Sequence, residues 1–300
     1  MYAPEQELTV YCKECWYGDG WDALQYGHDY DWKRPFFVQF RELLETVPRI
    51  GVVVIGTNIN CDYANYIKDS KNVYLAFSVT VSENVYYSRS VDKSKEIFDS
   101  YNVKQGEQCY ENLNSIRNYG ILFSVRTRDC LNSSFLFDCV NCQNCFMSSN
   151  LRNKQFVIHN KQYTKETYEA KIREMDLESH GTSEQLKQEF QGLMRNSLHM
   201  FANVTKIAYS TGDNLENTKG VQHCFNAYNL ENVRFSTRIF NSKDCWDIYG
   251  TLAAEMSYKG VSALNYTQNG AFVISTTESH DVRYTDWCIN SAHLFWMQWH

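Results

Sequence analysis

The stretch from Lys71 to Tyr110 decides the fold, because a four-residue phrase recurs in it every twelve residues. Its copies read Lys71-Asn72-Val73-Tyr74, Glu83-Asn84-Val85-Tyr86, Lys95-Glu96-Ile97-Phe98 and Glu107-Gln108-Cys109-Tyr110. Short apolar pieces at a fixed period, separated by Asn, Ser and Asp, are typical of a β-solenoid whose coils stack small apolar residues on one another. Asn suits the turns because it tolerates left-handed backbone angles. The pattern leaves open whether twelve residues form a full coil or one strand and its turn.

A longer repeat lies over the short one. An offset of 148 residues superposes Tyr110 on Tyr258, and a one-residue slip then superposes Phe146 on Phe295. The same offset matches Glu83/Glu231, Asn84/Asn232, Val85/Val233, Ser94/Ser242, Lys95/Lys243, Asp99/Asp247 and Tyr101/Tyr249. We therefore predict a mainly β protein, a parallel β-solenoid (β-helix) of two homologous halves, with a helical N-terminal region and a helical insert between the halves.

These repeats divide the chain into four predicted segments. They are 1–50, a Cys-x-x-Cys knuckle with an amphipathic helix; 51–162, the first solenoid half; 163–200, the helical insert; and 201–300, the second half. The second half stops before the equivalent of residues 151–175, so we expect it to be truncated.

Helices are predicted outside the repeats. After Pro35, apolar residues at helical spacing indicate a helix that Pro48 ends, and the run from Val52 to Ile55 indicates a buried strand. Thr164 is a predicted N-cap, and Thr182-Ser183-Glu184-Gln185 is a predicted capping box for a second helix. The apolar stripe of that helix, Leu186, Phe190, Leu193 and Met194, is expected to dock on the sheet or cap the solenoid, with a partner-binding helix as the alternative.

Cys12 and Cys15 are the predicted metal ligands. In Cys12-Lys13-Glu14-Cys15-Trp16 the turn points both sulfurs the same way, as in one zinc knuckle. A structural zinc site needs four ligands, and His28 and Cys61 are the conceivable completers. The alternative is a pair of reduced, partly buried cysteines.

A second cysteine run invites an iron–sulfur interpretation. Cys139, Cys142 and Cys145 form Cys-x-x-Cys-x-x-Cys, but the fourth cysteine of such a ligand run does not follow. We therefore expect these three residues, with Cys130, to be stacked core cysteines.

Several phrases resemble an uncharacterised family of cysteine-rich repeat proteins from environmental bacterial genomes. They are Tyr11-Cys12-x-x-Cys15-Trp16, Trp21-Asp22, Pro35-Phe36-Phe37-x-Gln39-Phe40, Leu151-Arg152-Asn153-Lys154 and Asn160-Lys161-Gln162-Tyr163-Thr164-Lys165-Glu166. The resemblance implies zinc-ribbon-like cysteine pairs and β-solenoid repeats, and it implies no activity. This chain lacks the upstream cysteine pair of the family and its closing C-terminal phrase.

Composition limits the classes of function. The 300 residues are 43% hydrophobic, hold no apolar run long enough for a membrane span, and show no signal peptide, so we expect a cytoplasmic protein, with a virion or surface structure as the alternative. A net charge of −6 argues against nucleic-acid and membrane partners.

The leading functional hypothesis is a non-enzymatic binding or structural protein that offers exposed Tyr and Asn to a protein or polysaccharide surface, with oligomerisation left open. One alternative is a polysaccharide-acting enzyme, which needs clustered carboxylates; the candidates are Asp92, Asp99, Asp129, Asp244, Asp247 and Asp286. The other is a zinc-ribbon protein that binds nucleic acid or protein through a basic face formed by Lys13, Lys33, Arg34 and Arg41.

Overall fold

A computed structural model describes residues 2, 5–175, 179–220, 223–228, 237–240, 254–258, 267–274, 276, 278–286, 288 and 290–298. Most of its regular structure consists of four-residue parallel strands, as predicted.

The helices are α1 (Lys13–Tyr17), α2 (Phe36–Thr46), α3 (Lys165–Glu174) and α4 (His180–Asn196), with a 3-10 turn at Ala23–Tyr26. The first strands are β1 (Val10–Tyr11), β2 (Arg49–Ile50), β3 (Val54–Ile55), β4 (Ile59–Asp62), β5 (Asn65–Lys68), β6 (Lys71–Tyr74), β7 (Phe77–Thr80), β8 (Glu83–Tyr86), β9 (Arg89–Asp92) and β10 (Lys95–Phe98). They continue with β11 (Tyr101–Lys104), β12 (Glu107–Tyr110), β13 (Leu113–Ile116), β14 (Tyr119–Leu122), β15 (Val125–Arg128), β16 (Leu131–Val140), β17 (Gln143–Ser149), β18 (Gln155–Ile158) and β19 (Lys161–Gln162). The last are β20 (Val204–Thr205), β21 (Gly212–Glu216), β22 (Cys224–Tyr228), β23 (Thr237–Phe240), β24 (Ala254–Tyr258), β25 (Thr267–Ile274), β26 (Arg283–Asp286) and β27 (Phe295–Gln298).

The strand register shows that twelve residues make one full coil of two strands. β6 pairs in parallel with β8, so that Val73 lies beside Val85. The intervening strand β7 pairs in the same way with β9, so that Phe77 lies beside Arg89. Each residue is therefore stacked on the residue twelve positions earlier. A one-strand repeat would instead pair β6 with β7.

One residue in three faces the interior of the coil. In the coil from residue 71 to residue 82, the buried side chains are Val73, Ala76, Val79 and Ser82. The same positions in neighbouring coils supply a continuous buried core that includes Ile67, Val85, Val91, Ile97 and Val103. Small residues predominate because four side chains must share the narrow interior of each coil.

The residue before each inward position has a left-handed backbone. In the same coil the φ angles are 53° at Asn72, 46° at Leu75, 59° at Ser78 and 47° at Val81. These bends turn the chain four times per coil. Asn adopts this conformation readily, as the sequence predicts, whereas at a residue such as Leu75 it costs roughly 1–2 kcal/mol.

Buried serines satisfy the backbone of the turns. The Ser94 hydroxyl donates to the carbonyl of Asp92 at 2.8 Å and accepts the N–H of Gly106, one coil later, at 3.0 Å. Ser82 repeats this arrangement with Thr80 and Ser94. Because an unpaired buried amide is costly, this serine ladder is part of what holds the coils in register.

The described part of residues 201–300 has the same architecture. β26 pairs in parallel with β27, with Arg283 beside Phe295 at the twelve-residue step. β21 pairs in the same way with β22, with Gly212 beside Cys224. The mainly β parallel solenoid predicted from the repeats is therefore confirmed.

The two solenoids share an aromatic series at equivalent positions of the predicted long repeat. In the first half Tyr110–Phe123, Phe123–Phe135 and Phe135–Phe146 have ring centroids 5.2, 4.8 and 5.6 Å apart and interplanar angles of 81°, 11° and 75°. In the second half Tyr258–Phe272, Phe272–Tyr284 and Tyr284–Phe295 give 5.4, 4.7 and 5.7 Å with 86°, 3° and 76°. The edge-to-face, stacked, edge-to-face order is the same in both.

The predicted helices form, with two corrections nearby. Thr164 caps α3 as predicted. The prediction that residues 182–185 form the capping box of the second helix is wrong. Helix α4 begins at His180, and the Ser183 N–H already donates to the Ser179 carbonyl within it. The strand predicted over residues 52–55 is shorter, at Val54–Ile55, and Ile55 is exposed.

The chain divides into two compact units. One comprises Met1–Ala3 and Ile50–His199, which holds the first solenoid with α3 and α4. The other comprises Pro4–Arg49 and Met200–His300, which holds α2 and the second solenoid. Among the described residues, no helix combines the length and apolar character needed to cross a bilayer.

Candidate binding groove

An open groove lies on the first solenoid between two rows of outward-facing side chains. One wall consists of Tyr63, Leu75, Tyr87, Asp99 and Glu111, and the other of Phe77, Arg89, Tyr101 and Leu113. Successive members of each wall are twelve residues apart, so each comes from the next coil. Residues 59–113 contribute no helix to cover this surface.

Small inward-facing residues form the floor of the open groove. They are Ala76, Ser88, Ser100 and Asn112, one from each of four coils. With no large side chain between the walls, the groove encloses about 690 Å³. The Arg89 guanidinium lies 5.3 Å from the centroid of the Phe77 ring, which holds its charge at one wall.

The walls of the open groove expose apolar side chains of unusual size. Tyr63 is 66% exposed, Leu75 47% and Tyr87 55%. Phe77, Tyr101 and Leu113 of the other wall are also exposed. A row of large apolar side chains along one surface marks a site of interaction more often than scattered exposed residues do.

Helix α4 fills the continuation of the same groove. The wall that ends at Glu111 continues into the later coils as Phe123, Phe135 and Met147. The wall that ends at Leu113 continues as Val125 and Phe137. These residues form one apolar cluster with Leu186, Phe190, Leu193 and Met194 of α4. The stripe predicted from helical spacing therefore docks along the solenoid face, which is the first of its predicted roles. The groove has a filled part and an open part.

An ion pair marks the boundary between the filled and the open part. The Lys187 ammonium of α4 donates to the Glu111 carboxylate at 2.6 Å, and this hydrogen bond raises the pKa of Lys187. Lys187 also lies 5.1 Å from the centroid of the Phe123 ring. Asp99 occupies the position of Glu111 one coil earlier and is exposed, with no ion pair among the residues that the structure describes.

The second solenoid packs a helix on its equivalent aromatic residues. The Phe36 ring of α2 lies 4.7 Å from the Tyr284 ring, centroid to centroid, and 6.3 Å from the Phe295 ring. Tyr284 is the counterpart of Phe135, which contacts Phe190 of α4 at 5.7 Å. In both units an amphipathic helix therefore places a phenylalanine on the same aromatic series.

Cys12 and Cys15 lie together at the start of α1. Cys12 is the N-cap residue, and its sulfur accepts the backbone N–H of Cys15 at 3.3 Å. A hydrogen bond to Cys12 raises the pKa of the Cys15 thiol, and both residues are exposed. Among the described residues, no third metal-ligating side chain joins them within ligand distance. The structure thus brings together two ligands of a knuckle.

The run at Cys139, Cys142 and Cys145 lies inside the first solenoid. These residues and Cys130 are buried in the core, and their thiols contact backbone carbonyls, as Cys139 does with Phe137 at 3.4 Å. Hydrogen bonds to Cys142, followed by burial, raise the pKa values of the other three thiols. In the described part of the chain these four sulfurs do not form a mutual ligand cluster. They are core residues, as expected.

Among the described residues, the candidate carboxylates of the first solenoid do not lie together. Asp99 lies in the open groove, whereas Asp129 accepts two hydrogen bonds from Arg117 on another side of the coil, at 2.7 and 2.8 Å. Asp92 is three coils from Asp129, about 14 Å at the spacing of parallel strands. Glycosidase carboxyl groups are about 5–9.5 Å apart. Asp286 lies in the second unit, and Asp244 and Asp247 are outside the described residues.

The predicted basic face is partly neutralised. Arg34 pairs with Glu42 of α2, and this contact raises the pKa of Arg34. The Asp31 carboxylate accepts the backbone N–H of Lys33 at 2.9 Å in the same loop. Arg41 is exposed on α2. This mixed surface gives a nucleic-acid backbone little continuous positive charge.

Sequence reasoning missed the groove walls as a set. Exposed tyrosines are expected as contacts, but their partners across the groove follow only from a full twelve-residue coil. The signal was the series Tyr63, Leu75 and Tyr87, large apolar residues at outward positions twelve apart.

No family model matches the chain. The curated proteins contain no match either. Among solved structures, the chain aligns with a crystal structure described as an acetyltransferase from Desulfovibrio desulfuricans G20, at 9% identity and a TM-score of 0.14. The alignment covers 82% of this chain, and the chain spans 61% of that protein. This likeness is too low to support an argument about fold or activity.

Proposed function

We propose that this protein is a non-enzymatic β-solenoid scaffold that binds an amphipathic α-helix of a partner protein in the open groove. The supporting observation is that α4 occupies the same groove a few coils further on. The filled part shows what the groove accepts, a helix with an apolar stripe at residues 186, 190, 193 and 194.

The length of the open groove suits a short helix. Three coil steps separate the first and last members of the row formed by Tyr63, Leu75, Tyr87 and Asp99. At roughly 4.8 Å per step, the row is about 14 Å long. A helix rises about 1.5 Å per residue, so about ten residues would span these four coils. Three turns of helix present three or four apolar side chains to one face, which matches the number of exposed side chains on each wall.

The charges of the open groove indicate the chemistry of the partner. Lys187 of α4 pairs with Glu111, and Asp99 offers the same carboxylate one coil earlier. The partner helix is therefore expected to place a Lys or Arg beside its apolar stripe. Arg89 on the opposite wall favours an acidic residue on the other edge of that helix.

A peptide with the sequence of residues 179–198 is the direct probe, because the protein already binds this sequence. The labelled peptide is titrated with the full chain by fluorescence anisotropy, beside a scrambled peptide that lacks the apolar stripe. We expect saturable binding of the first peptide and at least tenfold weaker binding of the second.

Two matched variants locate the binding. Leu75→Glu changes an open-groove residue that is 47% exposed with φ 46°, and Val81→Glu changes a residue in a different, charged groove that is 50% exposed with φ 47°. We expect Leu75→Glu to weaken peptide binding at least tenfold and Val81→Glu to leave it unchanged. Equal effects, or no binding to the parent chain, would contradict the proposal.

The same variants test the competing partners. Soluble oligosaccharides that bind the parent chain and not Leu75→Glu would assign the groove to a polysaccharide and overturn the proposal. Self-association that Leu75→Glu abolishes would instead make the groove a contact between two copies of this chain.

Zinc at Cys12 and Cys15 and a cytoplasmic location also remain proposals. The N–H to sulfur bond at 3.3 Å and the exposure of both thiols support a metal knuckle. Metal analysis of the purified chain with and without Cys12→Ser tests it, since zinc absent from both proteins would contradict the assignment.

A further inference from the structure

A cluster of two histidines and one aspartate lies on the second solenoid. The ligand atoms of His280, Asp281 and His293 all lie within 4.8 Å of one another. The Asp281 Oδ2 atom is 3.3 Å from His280 Nδ1 and 3.5 Å from His293 Nδ1. The two imidazole rings meet at 88° with centroids 5.0 Å apart.

The coil repeat creates this juxtaposition. Asn269, Asp281 and His293 are twelve residues apart, and all three have left-handed backbones, with φ of 53°, 55° and 56°. Their side chains therefore project in one row, and His280 enters it as the neighbour of Asp281. Since each position is set by the backbone of a stacked coil, the cluster does not depend on a loop.

The carboxylate of the cluster is oriented by a residue outside it. Asn269 donates from Nδ2 to Asp281 Oδ1 at 3.0 Å, which leaves Oδ2 directed at the two histidines. A fixed carboxylate supported by an amide donor is the usual outer-shell arrangement of a metal ligand.

We propose that His280, Asp281 and His293 form a binding site for a divalent transition metal ion of the zinc type. Two imidazole nitrogens and one carboxylate oxygen are a donor set that Zn²⁺ accepts at about 2.0–2.2 Å, and it leaves a coordination position for water. The side chains of His280, Asp281 and His293 are 50%, 44% and 75% exposed. They can therefore rotate to bring their ligand atoms within bonding distance of an ion that enters from solvent.

Zn²⁺ and Co²⁺ are the probes, used on the full chain with Cys12→Ser and Cys15→Ser so that the exposed thiols do not compete. We expect one ion per chain by calorimetry. Bound Co²⁺ should show no thiolate charge-transfer absorption, because the ligands are nitrogen and oxygen. Affinity should fall as the solution is made more acidic, because protons compete with the metal ion for its ligand atoms.

His293→Asn and His159→Asn are a matched pair. Both residues are exposed histidines beside a carboxylate, with φ of 56° and 49°, and Asn tolerates this backbone. We expect His293→Asn to weaken Zn²⁺ binding at least tenfold, Asn269→Ala to weaken it about 10–100-fold as an outer-shell change, and His159→Asn to have no effect. Circular dichroism confirms that each variant is folded.

Equal affinities of the His293→Asn and His159→Asn proteins would overturn the proposal, as would the absence of binding in the chain that lacks the two thiols. These outcomes are independent of the helix-binding groove, which lies in the other unit.

Discussion

The Phe190 ring of α4 meets the Phe135 ring of the solenoid edge to face, with centroids 5.7 Å apart and an interplanar angle of 70°. Phe190 is buried, and its neighbours Leu186, Leu193 and Met194 surround the same contact. This pair is the centre of the interface that fixes α4 in the groove.

Phe190→Ala is expected to lower the free energy of unfolding by about 3 kcal/mol, because it removes a large buried ring and leaves a cavity. Denaturant unfolding followed by circular dichroism measures the loss, and hydrogen exchange should show α4 opening first. Phe201→Ala is the control, since Phe201 is fully exposed. Similar losses in the two variants would mean that the contact with Phe135 contributes little.

Ser94→Ala is expected to destabilise the solenoid by about 1–3 kcal/mol, because the Gly106 N–H loses its buried acceptor. Ser94→Cys is the control. Cys130 and Cys142 occupy the same inward position in later coils, so a sulfur fits there. The prediction fails if the alanine variant unfolds at the same denaturant concentration as the parent.

Thiol labelling of the native protein should distinguish two classes of cysteine. Cys12 and Cys15 are exposed and should react with iodoacetamide within minutes. Cys109 is buried, and burial raises its pKa to about 11, so its unreactive thiol form persists at neutral pH. Peptide mapping by mass spectrometry measures this. Rapid labelling of Cys109, Cys139 or Cys145 in the folded chain would show that the solenoid opens readily.

Asp286 should make the stability of the second unit depend on pH. Burial raises its pKa to about 6 from 3.8, and the charge of Arg49 only partly offsets this. The folded state therefore holds the proton more tightly than the unfolded chain. The stability that protonated Asp286 contributes is fully present below about pH 4 and is lost as the pH rises through about 6.

Asp286→Asn removes this dependence. The difference in the free energy of unfolding between the variant and the parent should therefore shift in favour of the variant by on the order of 2 kcal/mol between pH 4 and pH 8. Urea unfolding of both proteins across this range measures the difference. A difference that does not change with pH would contradict the assigned pKa.

The stacking of the first solenoid follows from sequence because its information is local and repeated. Val73, Val85 and Ile97 recur at one spacing, and that spacing alone places them in one core column. The coil length does not follow, since twelve residues suit either one strand or two. The start of α4 was missed because Ser179 begins the helix without a side-chain cap bond.

The groove and the histidine–aspartate cluster depend on which residues of neighbouring coils lie side by side, and the order of residues in the sequence does not show this. Tyr63 and Phe77 line opposite walls of one groove only because each coil contains four left-handed bends. Asp281 and His293 are separated by one coil period. The chain has eight histidines, and this spacing predicts a contact only once twelve residues are known to form a full coil. Cys12 and Cys15 were found because their chemistry lies within one local motif.

The twelve-residue coil also makes the length of the open groove a discrete quantity. Inserting or deleting one whole coil between Tyr63 and Leu113 would change the groove by about 4.8 Å and leave every inward residue inward. A change of one residue would shift every following side chain out of its column. Whole-coil gain and loss is therefore an evolutionary route by which a solenoid of this kind can change the length of its groove in fixed steps without disturbing its core.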